Sequence, residues 1–163
     1  MQLILMRHGV AVERDEWTGD DFSRPLTPDG HDKTLAAARG LAAFCGAPDV
    51  IATSPKVRAL QTAEIAQDAW RKKSPPQIWP ELAEDNFEAW LVRLRKIEAK
   101  SVVLVGHQPD FSRFASLLLS ADAEELEIVW KKAGVMALDL DLPNGHVALQ
   151  WMLPPRFLRL VGA

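Results

Sequence analysis

A three-layer α/β/α sandwich around a mostly parallel sheet is the fold class this sequence predicts. Three observations predict it. Short apolar runs alternate along the chain with alanine- and leucine-rich helical stretches, the order expected of an α/β sheet. Two of those runs stop at residues that carry chemistry: Leu3-Ile4-Leu5-Met6 at Arg7-His8-Gly9, and Val102-Val103-Leu104-Val105 at Gly106-His107. Open α/β folds bind ligands at the carboxyl ends of their strands, so two strand-end histidines can converge there. No linker, repeat or low-complexity tract divides the chain, and one domain over residues 1–163 is expected.

The first strand is the apolar run ending at Met6. Residues 10–24 are polar, carry Glu13, Asp15, Glu16, Asp20 and Asp21, and read as a long surface loop. Thr27-Pro28-Asp29 then supplies an N-cap, a proline at the first helical position and an early acid. That helix runs to about Cys45, and Gly46 and Pro48 end it. Residues 49–53 form a second strand, and Ser54-Pro55 opens a helix to about Lys72 with Ser54 as cap. After the break at Ser74-Pro75-Pro76 come a short strand at 77–79, a helix over 87–99 and the strand at 102–106. Gln108-Pro109 opens the next helix, to about Ser120. The tail reads as a hairpin, residues 135–142 and 147–153 joined at Pro143-Asn144-Gly145.

Composition narrows the function classes. A net charge of −3 gives no global attraction for nucleic acid or for an anionic membrane, so any anion site must be local. No apolar run approaches the roughly 20 residues of a membrane span, and no basic leader with a long apolar core stands at the start. Cys45 is alone, which excludes an intramolecular disulfide and suits a reducing cytoplasmic setting. With four histidines and no His-x-x-x-His pair, no metal site is indicated.

Arginine beside His8 suggests a phosphate or carboxylate ligand. Arg58 falls near the start of its helix, where a cation opposes the macrodipole. An anion bound at that helix end would compensate, as would pairing with a surface carboxylate. Ser54 lacks a Gly-x-Ser-x-Gly elbow, so it reads as a cap and not as a nucleophile.

Arg7-His8-Gly9, then Ser54-Pro55 with Arg58-Ala59 and Gln61-Thr62-Ala63, then Gly106-His107 resemble the histidine phosphatase superfamily, with its phosphoglycerate mutase-like fold. Arg24-Pro25-Leu26-Thr27 with Gly30, the run Val105-Gly106-His107-Gln108-Pro109 and the short chain resemble its SixA-type phosphohistidine phosphatases. The likeness covers essentially the whole chain. It implies that His8 attacks phosphorus and carries the phosphoryl group until water releases it. It also implies that Arg7, Arg58 and His107 hold the phosphoryl oxygens, with Gly9 and Arg24 in the substrate site and no cofactor or metal. Arg24 either forms the pocket rim or ties its loop to the helix at Thr27. Such a site meets the needs of phosphoryl transfer, in-line positioning and positive charge around the equatorial oxygens.

Many members of the superfamily place a proton donor in the middle segment, where this chain has Glu81 and Glu84. Both also read as solvated carboxylates near a helix start. Imidazole, with a conjugate-acid pKa of about 6.5, leaves easily, whereas an alkoxide needs a positioned proton, so a missing donor favours P–N over P–O cleavage. His31 and His146 read as surface residues. Trp70, Trp79, Trp90, Trp130 and Trp151 read as packing, while Trp17 either covers the pocket mouth or packs within its loop. The resemblance therefore implies a phosphatase for phosphohistidine on a protein, such as a histidine phosphotransfer domain. A small-molecule phosphomonoesterase and a non-catalytic phosphate- or phosphoprotein-binding module are the alternatives. A monomer is the expected state.

Overall fold

The computed structural model describes residues 1–162. Strand β1 (Gln2–Arg7) lies in the middle of a six-stranded sheet of order β3-β2-β4-β1-β5-β6. Its parallel neighbour β4 (Ser101–Gly106) pairs in turn with β2 (Val50–Thr53), and β2 with β3 (Gln77–Ile78). The C-terminal hairpin, β5 (Val135–Asp141) and β6 (His146–Leu153), runs antiparallel along the other side of β1. The sheet is therefore mixed, a parallel half joined to an antiparallel half at β1.

Both faces of the sheet are covered, and alternation along the strands shows it. Ile4 and Met6 of β1 and Val103 and Val105 of β4 enter one core with Ala37, Ala38 and Leu41 of α1 (Pro28–Phe44) and Ala59, Ala63 and Ala66 of α2 (Val57–Ala69). Leu3, Leu5, Val102 and Leu104 point the other way. They meet Trp90 and Leu94 of α3 (Phe87–Lys96) and Phe111 and Phe114 of α4 (Asp110–Ser120). The first face packs through small residues and the second through aromatics. Trp90 lies 4.9 Å from Phe114 and 5.1 Å from Phe87, ring centre to ring centre, in edge-on geometry. Trp79 and Trp130 are also buried here, and Trp70 is buried on the opposite face. Trp151 is half-buried against Phe44.

Thr27 caps α1 as its sequence predicts, accepting from Gly30 N at 2.9 Å, and Pro28 is the first helical residue. Three stretches differ from expectation. Helix α2 begins at Val57, so Ser54 is not its cap; Ser54 continues the sheet instead, its N–H donating to Val105 O. Helices α2 and α3 stop at Ala69 and Lys96, short of Lys72 and Ala99, with Arg71 in the left-handed region just beyond α2. A 3₁₀ turn (Pro80–Ala83) and a short helix α5 (Pro155–Val161) were not anticipated, because neither is long enough to show a period.

Helix α5 docks on α1 through two glycines. A Cβ on Gly40 would overlap the Leu158 carbonyl, and one on Gly162 the Ala36 carbonyl. Gly40→Ala is expected to lower stability by about 1–3 kcal/mol through this backbone clash, despite alanine's better helix propensity. Urea unfolding measures it; a variant as stable as the parent would mean that α5 contributes nothing. Among the described residues no helix is long and apolar enough to cross a membrane.

Candidate active site

Register alone brings the motifs together. Arg7 pairs with Gly106 across β1 and β4, and Thr53 with Val105 across β2 and β4, so three parallel strands end side by side. The residues just past those ends, His8, Ser54 and His107, stand at one rim of the sheet. His8 N donates to Gly106 O at 3.0 Å, which carries the ladder one residue further. The two imidazoles come to rest with ring centres 5.2 Å apart.

His8 is 7% exposed, and its Nδ1 lies 2.7 Å from the carbonyl oxygen of Gly9. A carbonyl only accepts, so Nδ1 carries the proton and Nε2 keeps a free lone pair. Gly9 meets His8 through its carbonyl and does not line the cavity around that ring. Its N–H is spent on Thr62 Oγ1 at 3.0 Å, and a side chain there would strike Thr34 of α1. The Gly9 carbonyl thus orients His8, and its N–H is already taken. Burial, with the charges of Arg58, Arg7 and Lys132 added, holds the His8 pKa down to about 3. Burial and the neighbouring His8 and Arg58 put His107 at about 2. Both rings are neutral at pH 7.

Ser54, fully buried, sets the second ring. Its Oγ lies 2.8 Å from His107 Nε2 and accepts from Lys56 N at 3.3 Å. With the hydroxyl hydrogen donated to Nε2, His107 carries its proton on Nδ1. Sequence reasoning assigned Ser54 to a helix cap; its link to a histidine 53 positions away is visible only in the fold.

Arg58, on the first turn of α2, is 5% exposed. Of the two partners expected of a helix-start arginine, the structure shows the carboxylate. Its Nη1 donates to Asp21 O at 2.6 Å and its Nη2 to Asp21 Oδ2 at 3.0 Å. Asp21 also receives Arg24 Nε at 3.0 Å and lies 3.3 Å from Arg14 Nη1. Burial would raise the Asp21 carboxyl, but hydrogen bonds from Arg58 and Arg24 outweigh it and hold it at about 2. Arg24 further donates to Val12 O at 2.7 Å, so it both ties the loop together and lines the site. Arg7 donates through Nη1 to Trp130 O.

These side chains surround a cavity of about 470 Å³. Six cations line it: Arg7, Arg14, Arg24, Lys56, Arg58 and Lys132. Three carboxylates, Glu13, Asp21 and Asp110, accompany them. The cavity is thus locally cationic in a chain of net charge −3. Four of its residues are anchored at one end and unpaired at the other: Arg7 Nε, Arg58 Nε, His107 Nδ1 and Gln108 Nε2 are buried without a partner among the described residues. Buried donors are ordinarily satisfied, and an anion beside His8 is the group that would satisfy these.

Glu81 and Glu84 do not reach this cavity. Glu81 is paired to Arg93 of α3 at 2.9 Å, and Glu84 is exposed just past the 3₁₀ turn. The middle segment lies against α3 because Trp79 and Leu82 are buried there, and that packing turns both carboxylates away from the strand ends. The larger cavity, about 690 Å³ between Trp79 and α3, holds neither histidine and no nucleophile. Trp17 packs within its own loop, its Nε1 donating to Asp20 O at 3.0 Å, and His31 and His146 are exposed. Asp21, Lys56, Asp110 and Lys132 were not anticipated. The spacing of Asp21 three residues before Arg24 was a usable sign of the first; Lys132 comes from an irregular stretch that carried no signal. Among the described residues no group of His, Cys, Asp and Glu is placed to hold a metal ion.

Comparison with known proteins agrees with this geometry. Residues 3–104 match the family model of the histidine phosphatase superfamily (branch 1). An uncharacterised protein of Picosynechococcus is 37% identical over 144 residues, 85% of this chain and 84% of its own. Phosphohistidine phosphatase SixA of Escherichia coli is 26% identical, with 100% of this chain and 99% of that one covered. A structure of the protein histidine phosphatase SixA complexed with tungstate superimposes with a TM-score of 0.83 at 26% identity, covering 97% of this chain and 99% of that one. A sheet that gathers Arg7, His8, Arg58 and His107 at one rim, and a likeness that runs from end to end, have one reading: this chain is a phosphatase of the histidine phosphatase superfamily, and a homologue of SixA.

Proposed function

We propose that this protein hydrolyses phosphohistidine on a partner protein, passing the phosphoryl group through His8. The observation that carries the chemistry is the group of buried nitrogens of Arg7, Arg58, His107 and Gln108, unpartnered among the described residues, around a neutral imidazole whose Nε2 is free. Attack by Nε2 places the phosphoryl group among Arg7, Arg58 and His107, whose donors match the charge spread over its equatorial oxygens. Because the protein already occupies one end of each arginine, the donors are preorganised before the substrate arrives. Water then attacks the phosphoryl group on His8 and releases phosphate. The phosphohistidine substrate is supported by the full-length likeness to SixA. Glu81 is paired with Arg93 and neither it nor Glu84 lines the cavity, so neither supplies a proton there.

Phosphate release is to be compared between a phosphorylated histidine phosphotransfer domain and a panel of small phosphomonoesters. The expected result is a clear preference for the phosphoprotein, with Glu84→Gln indistinguishable from the parent. Preference for one small ester would move the protein to the metabolic phosphatases, and phosphate binding without release would make it a binding module.

A further inference from the structure

Resting on the phosphoryl-transfer reading above, we propose that Asp110 is the carboxyl group that gives the leaving group its proton and then takes one from the attacking water. Elimination leads to it. Of the three carboxylates at the cavity, Glu13 is largely exposed and faces Lys132 at 3.7 Å. Asp21 is held ionised by three arginines and spends both oxygens on them. The side chain of Asp110 is half-buried and takes part in no hydrogen bond or ion pair among the described residues. It opens α4, three residues after His107, and the Phe111 N–H to His107 O bond ties that turn to the second histidine.

The surroundings favour a carboxyl that can hold a proton. A helix start ordinarily favours the carboxylate. Here burial, aided by the charge of Asp85, raises the Asp110 pKa, against the opposing charges of Lys56 and Arg113. A phosphoryl dianion in the cavity adds like charge and raises it further. Asp85 is itself paired with Arg113, and Asp110 lines the cavity together with His8 and His107.

Atoms and charges then balance. His8 Nε2 forms a bond to phosphorus as the P–N bond to the substrate imidazole breaks. The electron pair stays on the leaving nitrogen, which takes the Asp110 proton. In the second half, Asp110 carboxylate accepts a proton from water as its oxygen bonds phosphorus, and the P–Nε2 pair returns to His8. Hydrogen phosphate leaves and Asp110 is protonated again. The first half weakens as pH rises through the Asp110 pKa and the second as pH falls through it, which makes a bell.

The test is the pH–rate profile of the parent, Asp110→Asn and Asp110→Glu on whichever substrate the parent prefers, with inorganic phosphate titrated as a check of the folded site. Asp110→Asn should lose about 10²–10⁴-fold in kcat with KM little changed, and its profile should lose the bell. Asp110→Glu should recover part of the rate and the bell. An Asp110→Asn rate within twofold of the parent, or a parental profile at lower amplitude, overturns the proposal. Should Asp110→Asn no longer bind phosphate, Asp110→Glu decides, and failure to restore a bell overturns it. A parent inactive on phosphoprotein and esters alike sinks the phosphoryl-transfer reading and this role with it. An active parent with an unaltered Asp110→Asn sinks this role alone.

Discussion

His8→Ala is expected to abolish phosphate release, a loss of roughly 10⁵–10⁶-fold if His8 is the nucleophile, since no other group at the cavity has its free nitrogen lone pair. His107, the nearest candidate, has Nε2 occupied by Ser54. Phosphate binding should survive, because all six cations remain. Single-turnover release and calorimetric phosphate binding separate the two. A residual rate within tenfold of the parent would mean that water attacks the substrate directly. The same variant has a signature in stability. The His8 pKa is lowered from 6.5 to about 3 on folding, so the unfolded chain binds the proton first as pH falls. Stability due to the neutral ring is complete above pH 6.5 and is lost as pH falls from there toward 3. His107 behaves alike down to about 2. His8→Ala should therefore flatten part, but not all, of the acid-side slope of unfolding free energy.

Arg58→Ala is expected to lower kcat/KM by about 10²–10³-fold or more, the scale of removing one preorganised donor from a transition-state charge. The cost in stability should be smaller, because Asp21 is partly exposed and keeps Arg24. The informative comparison is Arg58→Lys. A lysine keeps the charge but cannot meet the Asp21 carbonyl, the Asp21 carboxylate and a phosphoryl oxygen at once, since it lacks the planar fork. Arg58→Lys should thus stay close to Arg58→Ala in rate. A near-parental Arg58→Lys would show that charge alone suffices and that the Asp21 anchor is immaterial. Asp21→Asn sharpens the point, since it keeps the carbonyl acceptor while removing the carboxylate from three arginines.

What the sequence determined by itself is local or periodic. The four-residue apolar run before Arg7, the Thr27-Pro28 helix start and the hairpin turning at Pro143-Asn144-Gly145 each follow from physics acting within a few residues, and all three are found. The motifs at the strand ends were legible for the same reason, because a parallel ladder in register brings equivalent ends together. The antiparallel placement of the hairpin beside β1 was not legible, since pairing partners are chosen by tertiary burial and not by period. The same holds for the proton donor. Glu81 and Glu84 looked suitable by position, yet burial of Trp79 and Leu82 turns that segment onto α3. Asp110 looked like an ordinary first-turn acid, and the cavity makes it a candidate for chemistry. Ser54 read as a cap and became the partner of His107. Each of these depends on which groups, far apart in the chain, share a pocket. Desolvation and charge pairing there are set by three-dimensional neighbours, and a one-dimensional pattern does not contain them.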